Sequence, residues 1–162
     1  MTRKARATMH GAVSIVNAVP AGYGAAMGIS LELVAEVELA RGHGVKFLTG
    51  RRTDRLMTNI VSRLLQDEMD SNEVRISIRS QIPIGFGLKS SSAVSNAVSL
   101  ACARLKAEDY DDGEVIQTAV ESSLAAGVSI TGAMDDASAC YYGGIVLTDN
   151  RERRLIKRMD AV

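Results

Sequence analysis

Apolar and charged residues alternate from Ile29 to Leu39. Ile29, Leu31, Leu33, Ala35, Val37 and Leu39 share one face, and Glu32, Glu36 and Glu38 share the other. A period of two predicts a half-buried strand. An earlier strand is expected over Ala12–Val16, and Arg41-Gly42-His43-Gly44 reads as a turn into Val45–Leu48. The period then lengthens. Leu56, Met57, Ile60, Val61, Leu64, Leu65 and Met69 fit one helical face, with Thr53 as its expected N-cap. Val74, Ile76 and Ile78 alternate with Glu73, Arg75, Ser77 and Arg79, which returns the chain to a strand.

Helices dominate the second half of the chain. Val94, Ala97, Val98, Ala101 and Leu105 form one face, and a second helix is expected over about Asp112–Ala126. Asp111 and Glu114 have capping-box spacing at its start, and Gly127 suits the position after its end. A short helix is expected after Gly132, then closing strands at Ile145–Thr148 and Leu155–Arg158. Strands followed by helices indicate an α+β fold, and no repeat or internal boundary divides residues 1–162.

Composition narrows the function. The 162 residues carry 19 basic and 19 acidic side chains, so no net charge draws the chain to nucleic acid. Four tyrosines, two phenylalanines and no tryptophan leave little for base stacking. Arg151, Arg153, Arg154, Lys157 and Arg158 make the ending basic, which fits a charged edge strand better than an RNA-binding arm. Cys102 and Cys140 lie among small residues and read as buried apolar side chains. His10 and His43 have no metal-ligand spacing. No secretory signal and no apolar run near twenty residues are seen, so the expectation is a soluble cytoplasmic protein without a membrane partner. The chain stops at Met159-Asp160-Ala161-Val162 without an evident terminal element, as an interrupted protein would.

Between the strand around Ile76 and the helix around Val98 lies Pro83-Ile84-Gly85-Phe86-Gly87-Leu88-Lys89-Ser90-Ser91-Ser92-Ala93. A helix start offers unpaired N–H groups and the positive end of the macrodipole to an anion. Glycines let amides approach phosphate closely, Lys89 adds a mobile positive charge, and a serine hydroxyl can meet Mg²⁺. The alternative is a glycine turn whose serines only cap a helix. A Walker A loop is excluded, because Leu88 separates Gly87 from Lys89 and Gly85 lies too close.

The segment resembles the phosphate loop of the GHMP kinases (galactokinase, homoserine kinase, mevalonate kinase, phosphomevalonate kinase), with consensus Pro-x-x-x-Gly-Leu-x-Ser-Ser-x-Ala. Pro83 to Ala93 match it at every fixed position. The resemblance implies that Pro83, Gly85, Phe86, Gly87, Leu88, Lys89, Ser90, Ser91 and Ser92 hold ATP, with Lys89 also serving catalysis. It implies Mg²⁺ held by Ser91, with Glu121 as the nearest counterpart of a second ligand; the alternative for Glu121 is a solvated helix residue.

Thr131-Gly132-Ala133-Met134-Asp135-Asp136-Ala137, followed by Gly143-Gly144, is the second constellation. Phosphoryl transfer to an alcohol needs a carboxylate that orients the hydroxyl and accepts its proton. Two adjacent aspartates can also be a helix-start cap. The segment is similar to the Ser-Gly-x-Asp-Asn-Ala stretch of the same kinases, with one extra residue after the glycine. Matching Asp-Asn-Ala selects Asp135 as the base, and counting back from the glycine pair selects Asp136. Asp135 is the expected base.

These two segments, together with His10-Gly11-Ala12-Val13-Ser14-Ile15-Val16-Asn17-Ala18, most resemble archaeal-type shikimate kinases. Gly22-Tyr23-Gly24-Ala25-Ala26-Met27-Gly28 then reads as a glycine-rich loop, either a hairpin connection or a ligand-facing segment. The implied activity is ATP-dependent phosphorylation of the shikimate 3-hydroxyl. The implied fold is the GHMP-kinase N-terminal domain, a sheet packed on helices like a ribosomal small-subunit domain, with a left-handed β-α-β crossover. The ferredoxin-like C-terminal domain and its third glycine-rich motif are missing, which implies a truncated product, one piece of a split enzyme with a separate C-terminal half, or an inactive remnant. Rival readings are a homoserine or mevalonate kinase, a non-catalytic nucleotide-binding domain, and an RNA-binding domain.

Overall fold

The computed structural model describes residues 3–49, 54–106 and 109–160. Chain order is β1 (Arg3–Val16), β2 (Tyr23–Arg41), β3 (Gly44–Phe47), α1 (Arg55–Leu64), α2 (Gln66–Met69), β4 (Asn72–Ser80), α3 (Ser90–Lys106), α4 (Asp112–Ala125), α5 (Met134–Tyr142), β5 (Ile145–Asp149) and β6 (Arg154–Met159). The architecture is α+β, as the change of period predicts.

β2 organises the sheet. Its alternating residues Leu33, Ala35, Val37 and Leu39 are buried, while Glu36 and Glu38 on the other face pair with Lys4 and Arg75. β1 runs antiparallel along β2 from Ala25 to Leu39. The remaining edge of β2 is divided: Leu33–Arg41 pair with β4, and Tyr23–Met27 pair with β5. β3 pairs parallel with β4 across the α1–α2 connection, and β6 closes the far edge against β5. The basic ending is thus an edge strand, as its charge suggests.

α3 and α5 pack on β1 and β2, and α4 packs outside them on α1, α3 and α5. Val98, Ala101 and Cys102 of α3 meet Met9, Val37 and Ile60 in one buried cluster. Cys102 and Cys140 are free, buried thiols; burial pushes the Cys102 pKa up to about 12, and burial together with the nearby Asp136 charge pushes Cys140 higher still. Among the described residues, no helix is long and apolar enough to cross a membrane.

Three local expectations are refined. Thr53 lies outside the described residues; Asp54 caps α1, accepting from the Leu56 and Met57 N–H groups. The helix expected to reach Met69 breaks at Leu65, where φ is −123°, and a short α2 follows. Gly22–Gly28 is mostly strand: β2 begins at Tyr23. Its glycines make room for α5, since a Cβ on Gly28 would lie 2.8 Å from the Gly143 Cα and one on Gly24 would lie 2.6 Å from the Asp135 Cγ. The Asp111 cap and Gly127 at positive φ behave as their sequence suggests.

Candidate active site

Ile82, two residues past β4, is buried, and from Pro83 to Gly87 the chain is exposed. Gly85 and Gly87 take φ of +87° and +74°, with open space where a Cβ would stand. Lys89 takes φ of +60° immediately before α3. That region is disfavoured for a residue with a side chain and costs about 1–2 kcal/mol. Two contacts seat the loop. Leu88 packs against the core, and its carbonyl accepts from the Ala12 N–H at 3.2 Å, where β1 bulges between His10 and Ala12.

The result is a row of free donors. Ile84 and Gly85 form a turn between Pro83 and Phe86, and from Gly87 to Ser92 the backbone N–H groups donate to no acceptor among the described residues; the first donor after them is Ala93, to the Lys89 carbonyl. A run of amides without a protein acceptor, on a largely exposed loop, is a surface suited to an anion. Ser91 is exposed within that row, and Ser90 and Ser92 are half-buried.

α5 supplies the opposing charge. It starts after Gly132 at Ala133, whose φ is +49°, and no side chain caps it. Neither aspartate is therefore the N-cap; both lie in the first turn, where the helix dipole favours a carboxylate. Their surroundings differ. Asp136 Oδ2 lies 3.1 Å from Lys89 Nζ, and Asp136 Oδ1 lies 3.5 Å from Ser14 Oγ on β1. Asp135 is only 4 % exposed, and its Oδ1 accepts from Asn150 Nδ2 at 2.9 Å. Burial raises the Asp136 pKa above the ordinary aspartate value, the neighbouring Asp135 charge adds to this, and Lys89 and Ser14 oppose it.

The structure joins Lys89 to Asp136, while Asp135, the expected base, is hydrogen-bonded to Asn150. Glu121 is not tied to the loop. Its carboxylate meets Arg63 at 2.7 Å, Arg153 at 3.4 Å and Gln117 at 2.9 Å. The Gln117 hydrogen bond, then Arg63, hold its pKa below the ordinary glutamate value. Two guanidinium groups on one carboxylate oppose a divalent cation there.

Asn96 escaped sequence reasoning. Fully buried in α3, it donates through Nδ2 to the Ser92 and Ala137 carbonyls, both at 3.0 Å, and so ties the loop-bearing helix to α5. A polar residue inside an apolar helical face is the signal that marks it. A separate cleft of about 650 Å³ between α4, α5 and β6 is lined by Glu114, Tyr142, Arg153 and Arg154 and contains no loop residue. The free amides and the Lys89–Asp136 pair lie outside that cleft.

Residues 55–144 match the family model described as the GHMP kinases N terminal domain. A curated shikimate kinase of Methanothermobacter thermautotrophicus is 40% identical over 154 residues, covering 91% of this chain and 53% of that protein. A second, from Methanothrix thermoacetophila, is 42% identical over 153 residues, covering 94% and 53%. The chain therefore spans about half the length of these relatives. Among solved structures, homoserine kinase from Cytophaga hutchinsonii superposes with a TM-score of 0.78 at 18% identity, over 96% of this chain and 51% of that one. At that identity the likeness concerns the fold.

Proposed function

This chain belongs to the GHMP kinases, and on that premise we propose that it is the ATP-binding half of a shikimate kinase. The reaction moves the γ-phosphoryl group of ATP to the 3-hydroxyl of shikimate. The observation that carries the reading is the row of unpaired amides from Gly87 to Ser92, beside the Lys89–Asp136 pair. The choice of shikimate over homoserine or mevalonate rests on the 40% and 42% identities to shikimate kinases.

The loop amides and Lys89 hold the phosphate oxygens, each amide adding a charge-assisted hydrogen bond. Asp136 takes the hydroxyl proton as the new O–P bond forms and the bond to the departing ADP oxygen breaks. Burial and the Asp135 charge make Asp136 a stronger base than a free aspartate. Lys89 holds that carboxylate near the phosphate, so one side chain serves both partners of the transfer.

The residues fit Mg²⁺ held mainly by phosphate oxygens and water, with the exposed Ser91 hydroxyl as the protein ligand. Among the described residues no group of three His, Cys, Asp or Glu side chains forms a cage. When bound, the ion neutralises charge developing on the phosphates. Glu121 is not assigned to it.

A separate C-terminal half belongs to the proposal. Ile84 and Phe86 are 87% and 76% exposed on the loop, and phosphoryl transfer requires water to be excluded. A cytoplasmic setting, with ATP and reduced thiols, is proposed with it. The test is ADP release and product formation with shikimate, homoserine or mevalonate. The chain is assayed alone and mixed with the C-terminal half of the Methanothermobacter relative. Turnover with shikimate is expected; turnover with another acceptor alone overturns the substrate, and Mg-ATP binding without any turnover reduces the chain to a nucleotide-binding domain.

A further inference from the structure

We infer that Asp135 is a positioning residue: gripped by Asn150 and seated over Gly24, it sets the first turn of α5 so that Asp136 faces Lys89. The inference rests on the reading of Asp136 as the base and assigns its neighbour a distinct role.

Three observations converge on it. First, the first turn of α5 has no capping side chain: Ala133 lies in the left-handed region, and the Thr131 hydroxyl at this end accepts only from the N–H of Ala133 itself, at 3.2 Å. Burial of Met134, Ala137 and Cys140 and the Asn96 bond to Ala137 hold the body of the helix, which leaves the aim of its first turn to a contact made there. Second, a buried polar chain ends on Asp135. Thr148 Oγ1 donates to Asn150 Oδ1 at 2.8 Å, and Asn150 Nδ2 donates to Asp135 Oδ1 at 2.9 Å. Thr148 is fully buried and Asn150 is 8% exposed. The Asn150 N–H also donates to the Gly22 carbonyl at 2.7 Å, which anchors the grip to the β2 hairpin. Third, β2 has glycine where Asp135 lands, and a Cβ there would lie 2.6 Å from its Cγ.

Helix geometry turns that grip into aim. Consecutive side chains on an α-helix point about 100° apart. Holding Asp135 against β2 and β5 therefore leaves Asp136 one direction, toward Ser14 of β1 and Lys89 before α3. An apolar residue would fill the niche over Gly24 as well, but it would accept no hydrogen bond and strand the Asn150 amide.

The groups facing Asp136 are Lys89 from the loop, Ser14 from β1, and Asp135 and Cys140 from α5 itself. The experiment measures the coupling between Lys89 and Asp136 in the 162-residue chain. The Asp136 carboxyl is titrated by ¹³C NMR with and without Lys89→Met, and folding is checked by circular dichroism. In the otherwise unaltered chain, removing the lysine charge shifts the midpoint to higher pH. In Asp135→Asn, which keeps an acceptor oxygen for Asn150, that shift persists. In Asn150→Ala the shift is lost while the chain stays folded. Thr148→Val, nearly isosteric, frees the Asn150 amide to turn and weakens the shift even if Asn150→Ala does not fold. An undiminished shift in whichever of these two folds, or its loss in Asp135→Asn, overturns the inference. The readout needs no turnover, so failure of Asp136 as the base, seen as activity in Asp136→Asn, is a separate result.

Discussion

Lys89 Nζ lies 3.1 Å from Asp136 Oδ2, joining the loop that opens α3 to the first turn of α5. Neither residue occupies a comfortable position. Lys89 adopts a backbone conformation suited to glycine, and burial opposes ionisation of Asp136. Strain of this kind persists where the surrounding structure holds it, and it clusters at functional sites.

Lys89→Gly separates strain from charge. Glycine accepts φ of +60° freely but is more flexible in the unfolded chain, so the melting temperature stays within a few degrees of the parent. Mg-ATP affinity falls at least about tenfold, the loss of one charge-assisted hydrogen bond. Calorimetric titration and a thermal melt of the same preparation measure both.

Asp136→Asn makes stability less sensitive to pH. The folded pKa of Asp136 lies above the ordinary value of 3.8, so the folded state binds more protons between the two values. Stability from this group therefore falls as pH rises from the ordinary value through the raised one, and stays lower above it. The asparagine variant lacks that fall, and its advantage in urea unfolding disappears at low pH. In the assembled enzyme it loses at least about a hundredfold in turnover while retaining Mg-ATP binding.

Glu121→Gln leaves Mg-ATP affinity unchanged, because its partners are Arg63, Arg153 and Gln117. Its folded pKa is lowered, so its contribution is present above 4.5 and is lost as pH falls through the lowered value. The side chain is a third exposed, which limits the cost to under about 1 kcal/mol at neutral pH. Isothermal titration and urea unfolding at two pH values check both parts.

Gly24→Ala places a Cβ 2.6 Å from the Asp135 Cγ, and the short, buried, hydrogen-bonded side chain has little room to yield. A loss of about 1–3 kcal/mol in urea unfolding is expected. An unchanged midpoint contradicts the close seat of α5 on β2.

Local chemistry was legible in the chain; remote contacts were not. The alternation through Leu33–Leu39 and the loop from Pro83 to Ala93 carry their signals within a few residues, and both take the expected form. Gly22–Gly28 misled as a loop because glycine leaves no side chain to show a period, yet Gly24 and Gly28 are strand residues shaped by α5. The two aspartates look alike in sequence. What separates them is Asn150, which lies beyond another strand and reads there as a turn residue. Glu121 pointed to metal through its place in the helix, and its arginine partners come from α1 and the β5–β6 turn.

The central claim is that the loop over residues 84–92, with its free amides from Gly87 to Ser92, receives the phosphates of ATP. Amide ¹H–¹⁵N spectra recorded during titration with Mg²⁺ and a non-hydrolysable ATP analogue test it directly. The account predicts saturable shifts across residues 84–92, with smaller ones at Ser14 and Asp136. Saturable binding that leaves those amides unmoved, or no binding at millimolar analogue, contradicts it.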